Sequence, residues 1–361
     1  MNKRMISWTC FLALLACATV APAQMPQTMK DSFLQCAAGQ AVTGREAGFI
    51  DFIRNRLPKG VKSEVDNMGN LTVQLGSEPP QLLVVAPVDE PGFVVTGMTD
   101  EGFLRVASPG GRTPSPLFVQ FHEGHYVDIA TRSGTVRGVV ALPSSHLVRG
   151  RRESLTPDRF LIDIGARSRQ EAAARGVEML DPVAAVKDLA SLAENRIAGP
   201  MLSRKFGAFA LLEALKGLSP RPGKGIVFAW STQSGMSNSG ATRLARRFQA
   251  RQILILGAFQ RAGGRTGRDP VEILDSGVLI PDGESPGGAS QWLRDAVSSA
   301  GAKIKLTPSP TAAFSEARAF GENADVVPAG IPVVFPGSLV ETIDADDLMQ
   351  LIEFIRWVAA M

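Results

Sequence analysis

The chain has 361 residues, of which 45% are hydrophobic and 20% are charged, and its formal net charge at pH 7 is +3. These values are ordinary for a folded globular protein, and the small net charge excludes the strongly basic surface typical of nucleic-acid-binding proteins. The three histidines in the whole sequence limit histidine-based metal chemistry from the outset.

The first 23 residues are predicted to be a signal peptide. Lys3 and Arg4 precede an apolar run, and the small residues Ala21 and Ala23 offer a cleavage site. We therefore expect export to the periplasm or the medium. A lipoprotein attached through Cys17 is the alternative. No later run is long and apolar enough to span a bilayer, and Cys36 alone would remain after cleavage, which excludes an intrachain disulfide.

Residues 24–91 are predicted to begin an α/β domain. The apolar spacing of residues 44–57 favours a helix, and a turn at 66–70 separates two alternating segments. The run "QLLVVAP" then reads as a buried strand that ends in "VDEPG". Acidic residues at a strand end, here Asp89 and Glu90, are typical of a binding or catalytic loop in an open α/β sheet.

Residues 92–182 differ in their sequence pattern from the segments on either side. Short alternating segments such as "HYVDIAT" and "TVRGVVAL" are separated by glycine and proline, a pattern that predicts a small β-domain. Residues 183–361 then alternate between predicted helices, among them one at 289–301, and predicted strands. This alternation predicts a largely parallel sheet covered on both faces. The expected fold is thus an α/β domain of residues 24–91 and 183–361, with an inserted β-domain at 92–182.

Several segments, in the same order along the chain, resemble the glutamyl and tetrahedral aminopeptidases, a family of exopeptidases with two catalytic metal ions. The matching segments are "TGREAGFIDFI", "VDNMGNLTV", "VVAPVDEPGFVV", "FLIDIGARSRQEAAARGVEMLDPV", "STQSGMSNSGA" and "GIPVVFPGSLVETIDADDL". The resemblance implies an α/β peptidase domain with an inserted β-domain, two zinc or cobalt ions, and assembly of dimers into larger particles.

The residues that the resemblance places at the metal site do not suit that role. The family's two imidazole ligands fall at Pro87 and Gly337, and its bridging aspartate falls at Ser203. Its general-base glutamate falls at Ser234, and its two other acidic ligands fall at Gly235 and at or beside Gly257. None of these side chains is an imidazole, carboxylate or thiolate. The sequence therefore predicts no metal, no cofactor and no catalytic residue, and an inactive member of the family.

Five polar residues are expected to remain in the old cleft, and they are Asp89, Glu90, Lys205, Gln233 and Glu341. We expect a role in peptide binding or scaffolding. The alternative is a hydrolase of the same fold with a rearranged, metal-independent site, for example a serine and lysine pair of Ser203 or Ser234 with Lys205. Asp89 is interpreted as an acid that fixes its loop, with a general base as the alternative.

The histidines offer little support for other chemistry. His122 and His125 would lie on opposite faces of a predicted strand, and His146 matches a feature of the inserted domain, so all three are interpreted as structural or surface residues. No histidine follows His146, which disfavours a Ser–His–Asp triad. Peptides and further copies of the chain are the expected partners, whereas nucleic acid is not.

Overall fold

The fold was analysed in a computed structural model, which describes residues 24–76, 79–111, 115–141, 161–193, 195–221, 223–260, 274–281, 293, 306–309, 314–321 and 324–361. The signal peptide predicted at 1–23, His146 and nearly all of the helix predicted at 289–301 lie outside these residues.

A mixed eight-stranded sheet forms the centre of the α/β domain. Its strands, in order across the sheet, are β1 (Ser63–Val65), β2 (Leu71–Gly76), β12 (Gly225–Ser231), β3 (Leu82–Pro87), β13 (Gln252–Gln260), β16 (Asp325–Val333), β14 (Val278–Pro281) and β15 (Leu306–Ser309). The four central strands, from β12 to β16, are mutually parallel. Their carboxyl ends therefore lie at one edge of the sheet, where open α/β sheets bind their ligands.

Helices cover both faces of this sheet, as the apolar runs of its strands require. Alternate residues of β3 face opposite sides, so that Val84 and Leu83 belong to different buried clusters. One face packs against α1 (Gln27–Ala37), α2 (Ala47–Arg54), α5 (Phe206–Lys216) and α7 (Ala345–Ala360). The other face packs against α6 (Ser239–Arg247), through Ala241 and Leu244. The predicted fold class is confirmed.

The inserted segment forms a closed barrel with its own core. Its strands are β4 (Phe93–Met98), β5 (Leu104–Ala107), β6 (Tyr126–Thr131), β7 (Gly134–Val140), β8 (Leu161–Asp163) and β9 (Pro182–Ala185). The core includes Phe93, Val95, Val127 and Ile129, all fully buried. Two short helices accompany the barrel, α3 (Pro116–Gln120) and α4 (Arg169–Ala174). The last barrel strand, β9, continues past residue 182, the predicted end of the insertion, to Ala185.

A small three-stranded sheet joins the barrel's exit to the end of the chain. It contains β10 (Ala190–Ser191), β11 (Arg196–Gly199) and β17 (Glu341–Asp344), and all its pairs are antiparallel. Pairing of β11 with β17 places Gly199 opposite Glu341. This register brings the turn that follows β11 close to the strand ends of the main sheet.

Strand β13 runs to Gln260 and pairs with β16 through Val333. One detail of the sequence predictions is corrected here. His122 and His125 do not lie on a strand, because residues 121–124 form a turn and β6 begins at Tyr126. Among the described residues, none of the helices is both long and apolar enough to cross a membrane.

Candidate functional site

A cleft opens at the carboxyl ends of the parallel strands, between the sheet and the barrel. It contains two adjoining pockets. The barrel-side pocket, of about 470 Å³, is lined by residues of both domains, including Thr43, Asp89, Ser108, Leu117, Phe118, Phe121 and Ser234. The strand-end pocket, of about 500 Å³, is lined by residues that include Pro87, Ser203, Gly257, Phe314, Glu316 and Glu341. Pro91, Arg204, Ser315 and Gly337 line both.

Asp89 holds together two loops at the bottom of the barrel-side pocket. One carboxylate oxygen accepts a hydrogen bond from the backbone N–H of Ser234 at 2.8 Å. The other accepts from the backbone N–H of Gly235 at 2.9 Å and from the Thr43 hydroxyl at 2.8 Å. Asp89 is 2% exposed, so these three donors take up most of its capacity as an acceptor.

Glu341 has the same kind of role in the strand-end pocket. Its carboxylate accepts from the backbone N–H and the hydroxyl of Ser203, at 2.7 and 2.9 Å, and from the backbone N–H of Gly337 at 2.7 Å. Burial raises the pKa of Glu341 above its ordinary value, although these hydrogen bonds oppose the shift. The carboxylate thus ties two loops together, and Ser203 and Gly337, two of the predicted empty ligand positions, lie on these loops.

Two other predicted ligand positions are closed off by neighbouring side chains. A Cβ atom added to Gly235 would lie 2.7 Å from the Thr43 hydroxyl, and one added to Gly257 would lie 2.9 Å from the Phe314 ring. The Phe314 ring is held in turn by an edge-to-face contact with Phe259, with 5.4 Å between ring centroids. The packing therefore fits glycine at both positions and leaves no room for a longer side chain without rearrangement.

Glu90 and Lys205 lie behind the cleft in a buried cluster of charges. Glu90 pairs with Lys187 at 2.7 Å and with Lys205 at 3.2 Å, and none of the three side chains is more than 5% exposed. The Lys205 ammonium also lies 4.1 Å from the centre of the Phe49 ring. Burial would raise the pKa of Glu90, but the two ammonium groups hold it below its ordinary value, and burial lowers the pKa of Lys205.

This cluster bears directly on the proposed serine and lysine pair. Lys205 is fully buried and faces Glu90, while the Ser203 hydroxyl donates to Glu341. The structure thus brings Ser203, Ser234, Gly235, Gly257, Gly337, Pro87, Asp89 and Glu341 to one cleft, and it places Glu90 and Lys205 beneath it. Gln233 points away, since its side chain donates to the Met68 carbonyl.

Three loops of the cleft carry backbone strain. Met201, Gln233 and Phe335 have φ values of +58°, +57° and +55°, a region that bulky residues rarely adopt. Each is near the end of a strand, and strain of this kind costs on the order of 1–3 kcal/mol per residue. Strained residues tend to cluster at functional sites, so the cleft remains the best candidate site in the molecule.

Neither of the two described histidines lines either pocket. His122 is 1% exposed in the barrel, where its Nδ1 pairs with the Phe118 carbonyl at 2.8 Å and its ring meets Phe93 edge-to-face. Burial lowers the pKa of His122 to about 4. His125 follows the turn and is exposed.

Sequence reasoning missed Thr43, Arg204 and Phe314. Thr43 lies in the matching segment "TGREAGFIDFI" and Arg204 adjoins Ser203, so their positions were available signals. Arg204 lines both pockets and faces Glu316 at 3.5 Å. Phe314 had no signal, because it lies 57 residues from the glycine that it covers.

Comparison with known proteins gives one consistent result. The family model for M42 glutamyl aminopeptidase matches residues 69–354. Lysyl aminopeptidase of Pyrococcus furiosus is 26% identical over 326 residues, which are 87% of this chain and 92% of the relative. The putative aminopeptidase FrvX of Escherichia coli is 27% identical over 226 residues, and the match spans 62% of its length.

A solved structure of the Pyrococcus horikoshii TET1 peptidase has a TM-score of 0.81 and 26% identity, and the match covers 92% of this chain and 99% of that one. This peptidase can assemble into a tetrahedron or a large octahedral shell. A second structure shows a dodecamer, with a TM-score of 0.80.

These findings correct the prediction that the protein uses no cofactor. Members of the matched family depend on two metal ions, so a metal requirement is what the match implies. The side chains in the described part of the cleft do not fit a pair of ions in that arrangement. Most of the acceptor capacity of Asp89 and Glu341 is taken up by protein donors, and Thr43 and Phe314 fill the space beside Gly235 and Gly257.

The family model spans well over half of the sequence, and the solved structures of the TET1 peptidase share the fold. The chain belongs to the M42 glutamyl aminopeptidase family.

Proposed function

We propose that this protein is an exported peptide-binding protein that uses the aminopeptidase cleft to hold peptides and does not release their N-terminal residue. The observation that carries the proposal is the state of the two cleft carboxylates. Asp89 and Glu341 each accept three hydrogen bonds from the protein itself. Most of their acceptor capacity therefore holds the loops in shape, which leaves little of it to activate water or to bind the reacting group.

Size and strain of the cleft support a retained binding role. Two adjoining pockets of about 470 and 500 Å³ lie within the range of small-ligand sites. Met201, Gln233 and Phe335 have positive φ values, and glycine at these positions would relieve the backbone strain. The presence of bulky residues there favours a role that depends on the shape of the loops.

The experiment combines an activity assay with a binding assay on the purified mature protein. Aminoacyl-p-nitroanilides and short peptides are incubated with added zinc, with added cobalt and with a chelator, and peptide binding is measured by calorimetry. We expect binding without release of an N-terminal residue. Metal-stimulated release that the chelator abolishes would overturn the proposal.

One contact favours a second candidate, a metal-independent hydrolase. The Ser203 hydroxyl lies 2.9 Å from Glu341 Oε1 in the strand-end pocket, and the raised pKa of Glu341 makes it a stronger base for the hydroxyl proton. Chelator-resistant hydrolysis that is lost in Ser203→Ala and kept in Ser191→Ala would establish this candidate.

Export and self-association are part of the proposal. The basis for export is the N-terminal sequence, and the basis for self-association is the assembly of the TET1 relatives. Fractionation of cells should recover the protein outside the cytoplasm, shortened at its N-terminus. Light scattering should give a mass of at least a dimer, and a monomer at micromolar concentration would contradict the second point.

A further inference from the structure

We infer that the cleft binds the interior of an extended peptide, through its main chain and one bulky apolar side chain, and that it requires neither a free amino nor a free carboxyl terminus. The inference rests on the proposed function and makes its ligand more specific.

Two hydroxyl groups in the barrel-side pocket carry the first step. Ser234, 8% exposed, and Ser108 both line this pocket, and within the described part of the chain neither buried hydroxyl has a hydrogen-bond partner. A buried hydroxyl without a partner costs about 1–3 kcal/mol. The two residues come from opposite walls, the sheet and the barrel, and rotation of each side chain toward the pocket would let a ligand that carries both donors and acceptors satisfy the hydroxyls. A peptide main chain has this character.

The apolar wall of the same pocket carries the second step. Helix α3 and the turn after it supply Leu117, Phe118 and Phe121. Leu117 is 55% exposed, so a large apolar side chain on this wall of the pocket is open to solvent. Burial of such a side chain is favourable in proportion to the apolar area removed from water, so the ligand should present an apolar side chain here.

The charges of the cleft carry the third step. Among the described lining residues of the two pockets, the carboxylates are Asp89, Glu316 and Glu341, and the cation is Arg204. Asp89 and Glu341 each accept three hydrogen bonds from the protein. Glu316 and Arg204 face each other at 3.5 Å, so that their charges offset each other. Each of these charged lining groups thus already has a protein partner, and a desolvated peptide terminus would have to compete with that partner.

The test uses four versions of one pentapeptide, Ala-Ala-Phe-Ala-Ala. The versions have both termini blocked, only the amino terminus free, both termini free, or both blocked with serine in place of phenylalanine. Calorimetry on the mature protein should give equal dissociation constants, within about 2-fold, for the first three. The serine version should bind at least about 10-fold more weakly, because it loses the apolar side chain.

Variants of the pocket provide the second arm. Ser234→Ala and Ser108→Ala should each weaken binding of the blocked phenylalanine peptide by about 3- to 10-fold, the usual effect of one neutral hydrogen bond. Ser191→Ala, on the exposed strand β10, is the matched control and should bind as the wild type does. Leu117→Ser should weaken the phenylalanine peptide and leave the serine version unchanged.

The outcomes separate this inference from the function on which it rests. At least about 10-fold tighter binding of a peptide with a free amino terminus would overturn the inference and leave peptide binding intact. Equal binding of the phenylalanine and serine versions would also overturn it. If no version binds at millimolar concentration, the inference and the proposed function both fail.

Discussion

Gly257 and Phe314 show how closely the cleft is packed around a missing side chain. The ring would lie 2.9 Å from any Cβ atom at position 257, and the edge-to-face contact with Phe259 fixes the ring. The φ of Gly257 is not positive, so the backbone conformation does not require glycine at this position. The nearby Phe314 ring does.

Replacement of this glycine by alanine should expose the steric conflict. Gly257→Ala should lower the free energy of unfolding by about 1–3 kcal/mol, the usual cost of an overpacked core. In a Phe314→Ala background the same change should cost much less, because the Cβ atom then has room. Urea denaturation of the four proteins measures the coupling.

Gly48 provides the matched control for this experiment. It lies in α2, and a Cβ atom added there would meet nothing within 4 Å. Gly48→Ala should therefore stabilise the protein by roughly 0.5–1 kcal/mol. Equal effects of Gly257→Ala in both backgrounds would contradict the steric account.

At the scale of elements, one carboxylate connects the two crossings between sheet and barrel. Glu90 precedes the first barrel strand and Lys187 follows the last, and their side chains pair at 2.7 Å. Lys205, at the start of α5, approaches the same oxygen of Glu90. The buried Glu90 carboxylate therefore pairs with two lysines, which come from two other parts of the chain.

The three charges should not be equivalent in their effect on stability. Glu90→Gln leaves two buried ammonium groups without their anion and should cost about 3–5 kcal/mol. Lys205→Met keeps the pair of Glu90 with Lys187 and removes a desolvated charge, so its cost should stay below about 1.5 kcal/mol. Thermal and urea unfolding of both variants tests this order. Equal costs would contradict the shared-anion description.

The start of helix α7 provides a pH-dependent element. Asp347 is 1% exposed and accepts from the backbone N–H groups of Asp275 and Gly277, at 2.9 and 2.6 Å. Burial, and to a lesser degree the nearby carboxylates of Asp344 and Asp275, raise the pKa of Asp347 to about 7 from an ordinary value of 3.8.

This raised pKa has a defined consequence for stability. The folded protein holds the proton more tightly than the unfolded chain does, so the contribution of Asp347 is fully present below about pH 4 and is lost as the pH rises to about 7. The free energy of unfolding of Asp347→Asn should therefore change less over this range than that of the wild type. Asp51→Asn, on the exposed side of α2, is the control and should keep the wild-type profile.

At the scale of the whole molecule, a ligand in the cleft would contact both the sheet and the barrel. Binding to the folded state alone stabilises it, by about 2.7 kcal/mol when the ligand is at about 100 times its dissociation constant. The blocked phenylalanine peptide should therefore raise the melting temperature in a concentration-dependent way, and Ser234→Ala should need more peptide for the same shift. No shift at saturating peptide would contradict binding across the cleft.

Much of this architecture could be predicted from the sequence because it depends on local patterns of residues. The apolar run before Asp89, the alternating segments of the barrel and the ordered family motifs each lie within a few residues of one another. The partners that define the site do not: Lys187 is 97 residues from Glu90, and Phe314 is far from Gly257. Such pairs depend on tertiary packing, which no local pattern encodes. The prediction that the protein uses no cofactor was wrong because it was drawn from single positions, whereas the family match covers most of the chain.

The pairing of Glu90 with Lys187 also has an evolutionary and practical meaning. Because the two chain crossings meet at one carboxylate, the polypeptide enters and leaves the barrel at neighbouring points. A short linker between them would close the sheet domain and keep its buried anion, while removing Ser108 and the α3 wall of the cleft. The buried anion of the sheet domain and the apolar wall of the cleft thus lie in different modules, and exchange of barrels between relatives would change this wall while Asp89 and Ser234 stay in place.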